Sequence, residues 1–342
     1  MTSSHIAPPT ASRNRPVNRF IVRVGLMHAV SKAARRRLVF KLALGTLLAG
    51  MLPGLTNASM FDDGNDRLSI LELHHKEESL LTQEEHAILL AANRYGNIGM
   101  CGGANGGNAF VIRFNGRPAV ITAGHTLIDD ESGEVKCAHE DVRPSFMPNV
   151  AHYDPHTPRT DDDFVLRRVD LQYPPVNLKG YIAAVETGNT GGMTAADWLV
   201  FFLDEDITTD IMPDGHQRGF LQYSSNRESF DTGQLYLIGM HRDLGDGIVV
   251  HYQRCDYANL ANLSIQHVCD TLPGTSGSML LSMEDGELRF RAIHSSGRFN
   301  GPEGAADRHI FDHVPQDRSQ WNSATPALRV FEAQDPEFRR LP

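Results

Sequence analysis

The chain has no acidic residue before Asp62. Nine of its 32 Lys and Arg fall in residues 1–58, which leaves 23 basic against 42 acidic side chains in the remainder. The whole molecule carries −10, but from residue 59 onward the balance is near −19. A surface so poor in positive charge excludes nucleic acid as a partner, because phosphates demand a basic patch, and it argues against anionic membrane surfaces. Long apolar runs are missing as well. The stretch from Leu42 to Leu52, broken by Pro53-Gly54, falls short of the roughly 20 residues that span a bilayer as a helix. Cysteine is scarce, with four residues and no CxxC pair. The neighbouring histidines show no ligand spacing, so a Cys/His zinc site has little to build on. Neither a metal nor an organic cofactor is expected. No repeat, coiled coil or low-complexity tract is present.

The short basic-then-apolar opening has a use of its own. Arg35-Arg36-Arg37 precede the apolar stretch, and small residues Thr56 and Ala58 follow it, as in an export signal. Residues 1–58 are therefore expected to be a signal peptide or leader, leaving no membrane span once cleaved. Met27 offers an alternative start, and Arg36-Arg37-Leu38-Val39-Phe40-Lys41 resembles a twin-arginine signal. A secreted or periplasmic protein with an even cysteine count is expected to form disulfides. Of three connectivities, the local one, Cys101–Cys137 with Cys255–Cys269, is expected.

Residues 59–95 read as a polar, partly helical arm or propeptide. Thr82-Gln83-Glu84-Glu85 resembles a capping box that opens a helix through His86–Ala92. From residue 96 to the end the texture changes to short apolar runs between Gly, Asn, Asp and Pro. Ala109–Ile112, Ala119–Ile121, Leu235–Ile238, Gly247–Val250, Met279–Leu281 and Phe290–Ile293 are such runs. Many short strands with turn signals argue for an all-β protein, and Asn115-Gly116 marks a tight hairpin.

Two phrases carry chemistry. Ile121-Thr122-Ala123-Gly124-His125 ends an apolar strand in a histidine, and about 150 residues later Pro273-Gly274-Thr275-Ser276-Gly277-Ser278 sets a serine among glycines. A serine hydroxyl becomes a useful nucleophile when an imidazole takes its proton, and the imidazole needs a carboxylate to orient it. Asp197, leading Trp198-Leu199-Val200-Phe201-Phe202, is the candidate acid, with Asp163 in Asp161-Asp162-Asp163 as competitor.

In the order His, Asp, Ser, these phrases resemble the trypsin-like, chymotrypsin-fold serine peptidases, and in particular the bacterial branch related to glutamyl endopeptidases. The resemblance covers roughly residues 95–330, including Asp197-Trp198 and Ala292-Ile293-His294-Ser295-Ser296-Gly297. Gly64-Asn65-Asp66-Arg67 echoes that branch's mature N-terminus. It implies two six-stranded antiparallel β-barrels, about 96–210 and 211–330, with the active site in the cleft between them. It also implies a monomer acting on proteins or peptides, with His125, Asp197 and Ser276 catalytic and an oxyanion hole on the N–H groups of Gly274 and Ser276. Asp270, Thr271 and His294 would line the primary pocket, and Ser295, Ser296 and Gly297 would form the edge against which substrate pairs. Asp270 lies where trypsin keeps its acid, whereas His294 and Thr271 lie where glutamyl endopeptidases hold a P1 carboxylate. Thr275 replaces the Asp that, in the pancreatic enzymes, pairs with the freed N-terminal amine, so that activation switch is not expected. Two other readings stay open: a catalytically silent binding protein on this fold, and an esterase. The α/β-hydrolase esterases, however, want Gly-x-Ser-x-Gly and the chain order Ser, acid, His.

Overall fold

Apart from Gly247–Val250, of whose described residues only Val250 lies in a strand, the apolar runs fold as strands that bury both faces, which is why they read as continuous rather than alternating. The computed structural model describes residues 58–61, 66–100, 105–146, 167–188, 190–212, 214–224, 232–241, 244, 249–260, 264–272, 274–296, 308–311 and 321–332. The chain separates into units of residues 1–53 and 54–342. The expected leader, Ala58 excepted, lies outside the described residues, as do Cys101, Asp163 and Gly297. Among the described residues no helix is long and apolar enough to cross a membrane.

The strands in chain order are β1 (Ala58–Phe61), β2 (Leu68–Ser69), β3 (Tyr95–Met100), β4 (Asn105–Phe114), β5 (Arg117–Thr122), β6 (Arg143–Phe146), β7 (Arg167–Arg168), β8 (Leu199–Phe202), β9 (Thr232–Met240), β10 (Val250–Leu260), β11 (Ser264–His267), β12 (Met279–Glu284), β13 (Glu287–Ser296), β14 (Arg308–Phe311) and β15 (Asn322–Pro326). The first sheet has six strands in the order β7-β6-β3-β4-β5-β8. After β7 the chain returns to the β8 edge, where the Gln172 N–H donates to the Phe202 carbonyl at 2.9 Å and Leu171 bridges Leu203. The second sheet runs β11-β15-β13-β12-β9-β10, and β10 pairs with β11, so its six strands close into a ring with β2 added on β10. This is the all-β, two-barrel architecture expected. A separate parallel pair joins β1 and β14.

Period-two alternation distributes these strands over three apolar layers. On β4, Ala109 and Val111 face the first barrel's interior with Val120, Leu199 and Phe201. Their neighbours Phe110, Ile112 and Phe114 face the other way, into a core shared with Ile238, Met279 and Phe290 of the second sheet. On β9, Leu235 and Leu237 fill the second barrel's own interior. The two barrels are thus joined by a third core. Tight turns need positive φ at both central positions, supplied by Asn115-Gly116 (51° and 73°) and by Asp285-Gly286 (52° and 81°).

Among the described residues there are five α-helices: α1 (Ile70–His74), α2 (Gln83–Ala92), α3 (Leu178–Glu186), α4 (Thr190–Ala196) and α5 (Ala327–Glu332). The capping box forms on α2, where the Thr82 hydroxyl accepts from the Glu85 N–H at 3.2 Å and the Thr82 N–H donates to the Glu85 carboxylate at 3.0 Å. The arm does not merely lie on the surface. Ile70, Leu73, Ile88, Ala91 and Ala92 are buried in the core shared by the barrels, where a fully buried Ile or Leu stabilises by roughly 2 kcal/mol.

Candidate active site

Strand β5 ends at Thr122, and a single buried turn of 3₁₀ helix, Gly124–Thr126, carries His125. Glycine is required before it: a Cβ on Gly124 would sit 2.9 Å from the Tyr181 ring and 3.1 Å from Asp197 Oδ1. Lys136 Nζ donates to the His125 carbonyl at 2.7 Å, and the Thr126 hydroxyl donates to the Ala123 carbonyl at 2.6 Å, fixing the turn from both sides.

Asp197 sits between α4 and β8, held by a residue that sequence reading passed over. Asn177 Nδ2 donates to the carbonyls of Ala196 and Trp198, at 2.8 and 2.9 Å, clamping the peptide on each side of the acid. The Asp197 carboxylate accepts from the His125 N–H at Oδ1 and meets the His125 ring Nδ1 at Oδ2, both at 2.8 Å. The Ser295 hydroxyl also donates to Oδ2. Tyr181, from α3, closes over this turn and donates its hydroxyl to Asp130 at 2.7 Å.

Ser276 lies between two glycines in left-handed backbone, Gly274 at φ 104° and Gly277 at φ 83°. The loop is pinned by Asn108 of β4, a further residue no sequence signal marked. Its N–H donates to the Ser276 carbonyl at 2.8 Å, and its Nδ2 donates to the Gly274 carbonyl at 3.1 Å. The N–H groups of Thr275, Gly277 and Ser278 are occupied by Leu272, His294 and Thr275 carbonyls. Those of Gly274 and Ser276 donate to no backbone carbonyl among the described residues. His125 Nε2 stands 2.7 Å from the Ser276 hydroxyl oxygen. The structure therefore brings Asp197, His125 and Ser276, 3%, 5% and 7% exposed, into one bonded line. Gly277→Ala should be costly, since its Cβ would lie 2.1 Å from the Asn108 carbonyl oxygen in a conformation L-residues avoid. A loss of at least about 2 kcal/mol in a thermal or urea melt is expected.

Burial opposes a charge on His125, but the Asp197 carboxylate outweighs it by charge and hydrogen bond, so the imidazole pKa lies above its ordinary value. Burial would raise Asp197, and the His125 and Ser295 contacts overcome it, so the acid stays ionised. The arrangement stabilises an imidazolium next to a serine hydroxyl. Chemically, it can accept a proton from Ser276 and hold it.

The remaining sequence-marked residues fall beside this line. Asp270 and Thr271 are buried, and Gln253 brackets Asp270 by accepting from its N–H at 2.9 Å and donating to its carbonyl at 2.6 Å. The described ring partner of His294 is His267, at 3.1 Å between Nδ1 and Nε2. Because the Cys269 N–H donates to His267 Nδ1, His267 donates through Nε2, and the proton of His294 lies on its own Nε2. Burial, then the charge of His125, pushes the His294 pKa down to about 3, so this ring is neutral. The β12 ladder along β13 ends at Ile293, leaving Ser295 and Ser296 beyond it on that side, while Ser296 pairs with Ser323 on the other. Cys255 and Cys269 form a disulfide, and Cys137 is disulfide-bonded too. Donor atoms of Cys255, His267 and Cys269 lie within 4.8 Å of one another, but both sulfurs are spent on each other.

No family model matches the chain, and no curated protein matches it. Among solved structures it is similar to a Glu endopeptidase in complex with MPD, at 13% identity over 80% of this chain and 99% of that one, with a TM-score of 0.46. It is similar also to a thermostable serine protease, AL20, from an extremophilic microorganism, at 13% identity over 72% and 98%, with a TM-score of 0.44.

Proposed function

We propose that the chain is an exported serine endopeptidase, secreted or periplasmic and monomeric, that cleaves peptide bonds through an acyl-enzyme on Ser276. The observation that carries this reading is the unbroken line from Asp197 through His125 to Ser276, with contacts of 2.8 and 2.7 Å. In this mechanism Ser276 Oγ attacks the scissile carbonyl carbon while His125 Nε2 takes its proton. The imidazolium, held by Asp197, then gives that proton to the leaving amine as the C–N bond breaks. Water then attacks the acyl carbon as His125 takes its proton, and His125 returns that proton to Ser276 Oγ as the ester C–O bond breaks. The N–H groups of Gly274 and Ser276 serve the oxyanion, each donor of this kind being worth about 10²–10³ in turnover.

Substrate would add as a strand along Ser295, Ser296 and Gly297. Asp270, Thr271 and His294 would line the P1 pocket, where the neutral His294 offers an Nε2–H to a side-chain carboxylate. Purified protein should react one-to-one with a fluorophosphonate probe and cleave casein. Cleavage of long-chain esters alone would favour an esterase, and neither activity in a folded sample would favour a silent binding protein. Profiling a peptide library should show Glu or Asp at P1, lost on His294→Ala. Dominant Arg or Lys that depends on Asp270 would replace this specificity with a trypsin-like one.

A further inference from the structure

Arg67 enters the second barrel from the N-terminal arm and is buried, 6% exposed. Removing a guanidinium from water costs several kcal/mol, so its position must be held by the surrounding fold. Leu68 and Ser69, immediately after it, pair with Tyr252 and His251 of β10. The Ser69 hydroxyl then caps α1 by accepting from the Leu71 N–H at 3.1 Å, and Ile70 and Leu73 anchor that helix in the shared core. The guanidinium donates from Nη1 to His241 Nδ1 at 3.1 Å. A guanidinium can only donate, so His241 is the neutral tautomer with its proton on Nε2.

His241 directly follows Met240, the last residue of β9, and Met240 is tied to the nucleophile loop. Its N–H donates to Asn108 Oδ1 at 2.7 Å, and the Nδ2 of the same Asn108 donates to the Gly274 carbonyl at 3.1 Å. The Asn108 N–H holds the Ser276 carbonyl at 2.8 Å. Arg67 is thus joined to both flanks of Thr275 through His241, Met240 and Asn108. Thr275 itself is neutral and buried, and its hydroxyl donates to the Leu272 carbonyl at 2.8 Å. Nothing at that position can receive a cation.

We infer that Arg67 is a positioning residue that orders the Gly274–Ser276 loop from the arm side, so that the working protein retains its chain from Arg67 onward. This inference rests on the reading of Ser276 as nucleophile. The arm then acts as a built-in activator, supplying from within the chain the cationic anchor for the loop. Deleting the arm would take Ile70, Leu73 and Ile88 out of the shared core and uncover barrel residues such as Ile238, Val250 and Phe290, so the test uses point substitutions.

Arg67→Ala, in the full chain, should keep its far-ultraviolet spectrum and melt within a few degrees of the parent, yet react with the fluorophosphonate about a hundredfold more slowly, the scale of an ångström's misplacement. The loss should fall on the maximal acylation rate rather than on probe affinity, and millimolar guanidinium, far below denaturing levels, should restore much of it. An unchanged rate in the folded variant overturns the inference, as does a loss that guanidinium leaves untouched. So does an active protein whose N-terminus begins after Arg67. Should Arg67→Ala not fold, Arg67→Gln, which keeps an N–H donor but no charge, carries the test: a lowered acylation rate supports the inference and a parental rate overturns it. If the parent itself does not label, it is the reading of Ser276 that fails, and the two failures are separate.

Discussion

Ser276→Ala should abolish covalent labelling and lower peptide turnover by about 10⁶-fold, while Asp197→Asn should lower it by about 10⁴-fold at neutral pH. The two losses differ in kind. Without the hydroxyl no acyl-enzyme forms, and the residue of activity is what substrate binding and the oxyanion donors supply to water. With asparagine at 197 every heavy atom stays in place, but an amide replaces the carboxylate that accepts from the His125 N–H, the His125 ring and the Ser295 hydroxyl. If the amide donates to Nδ1, the imidazole proton moves to Nε2 and points at Ser276, which leaves the base occupied. The charge that raises the His125 pKa is lost as well. The parent's kcat/KM should therefore rise with pH through a midpoint above about 6.5, the ordinary histidine value. In Asp197→Asn the midpoint should fall below the parent's. An acid limb that does not move between the two would separate Asp197 from His125 function. A parent and Ser276→Ala protein of equal activity would remove Ser276 from the chemistry.

What the sequence carried, and what it did not, follows from how local each feature is. The His125 and Ser276 phrases are local: a strand end, a turn, and glycines whose positive φ or close approach a side chain would forbid. The Thr82 capping box and the Asn115-Gly116 turn are local in the same sense. The residues that hold the site together are not. Asn108 reaches the Ser276 loop 168 positions away, and it looks in sequence like any polar residue on a strand. Asn177, the residue before α3, and Tyr181 within it act from a helix inside a stretch that reads as strands and turns. Ser295, marked as a substrate edge, uses its side chain on Asp197. His294 invites pairing with Asp270 on chemical grounds, whereas the register of β11 against β15 and β15 against β13 sets His267 beside it. Register and ring closure decide such contacts, and neither is written in any short window.

Acidification should destabilise the protein steeply between about pH 6.5 and 4, and buried histidines set that slope. His241, His267 and His294 are at most 2% exposed. Burial lowers all three pKa values, helped at His241 by Arg67 and its histidine neighbours, at His267 by His294 and at His294 by His125. In the unfolded chain each titrates near ~6.5. Their folded values lie lower, so the unfolded state binds more protons below that pH. Their contribution to stability is complete above about 6.5 and is lost as pH falls, for His294 down to about 3. Each group can contribute a slope of up to about 1.4 kcal/mol per pH unit. Three together approach about 4 kcal/mol per unit, against a typical total of about 5–15 kcal/mol. His125 does not offset this, because its folded pKa is raised and its contribution is already full below about 6.5. Asp197 is lowered, and its contribution fades only as pH drops below its unfolded value near ~3.9. Asp130, held above the usual carboxylate range by burial, titrates in the stabilising sense and takes back part of the loss. Urea midpoints at pH 7, 6 and 5 should fall at each step, and His267→Gln should flatten the slope by about a third even if it lowers the value at pH 7. Midpoints that hold level from pH 7 to 5 would mean that these three rings are already charged in the folded protein, and that the neutral His267–His294 pair does not exist in solution.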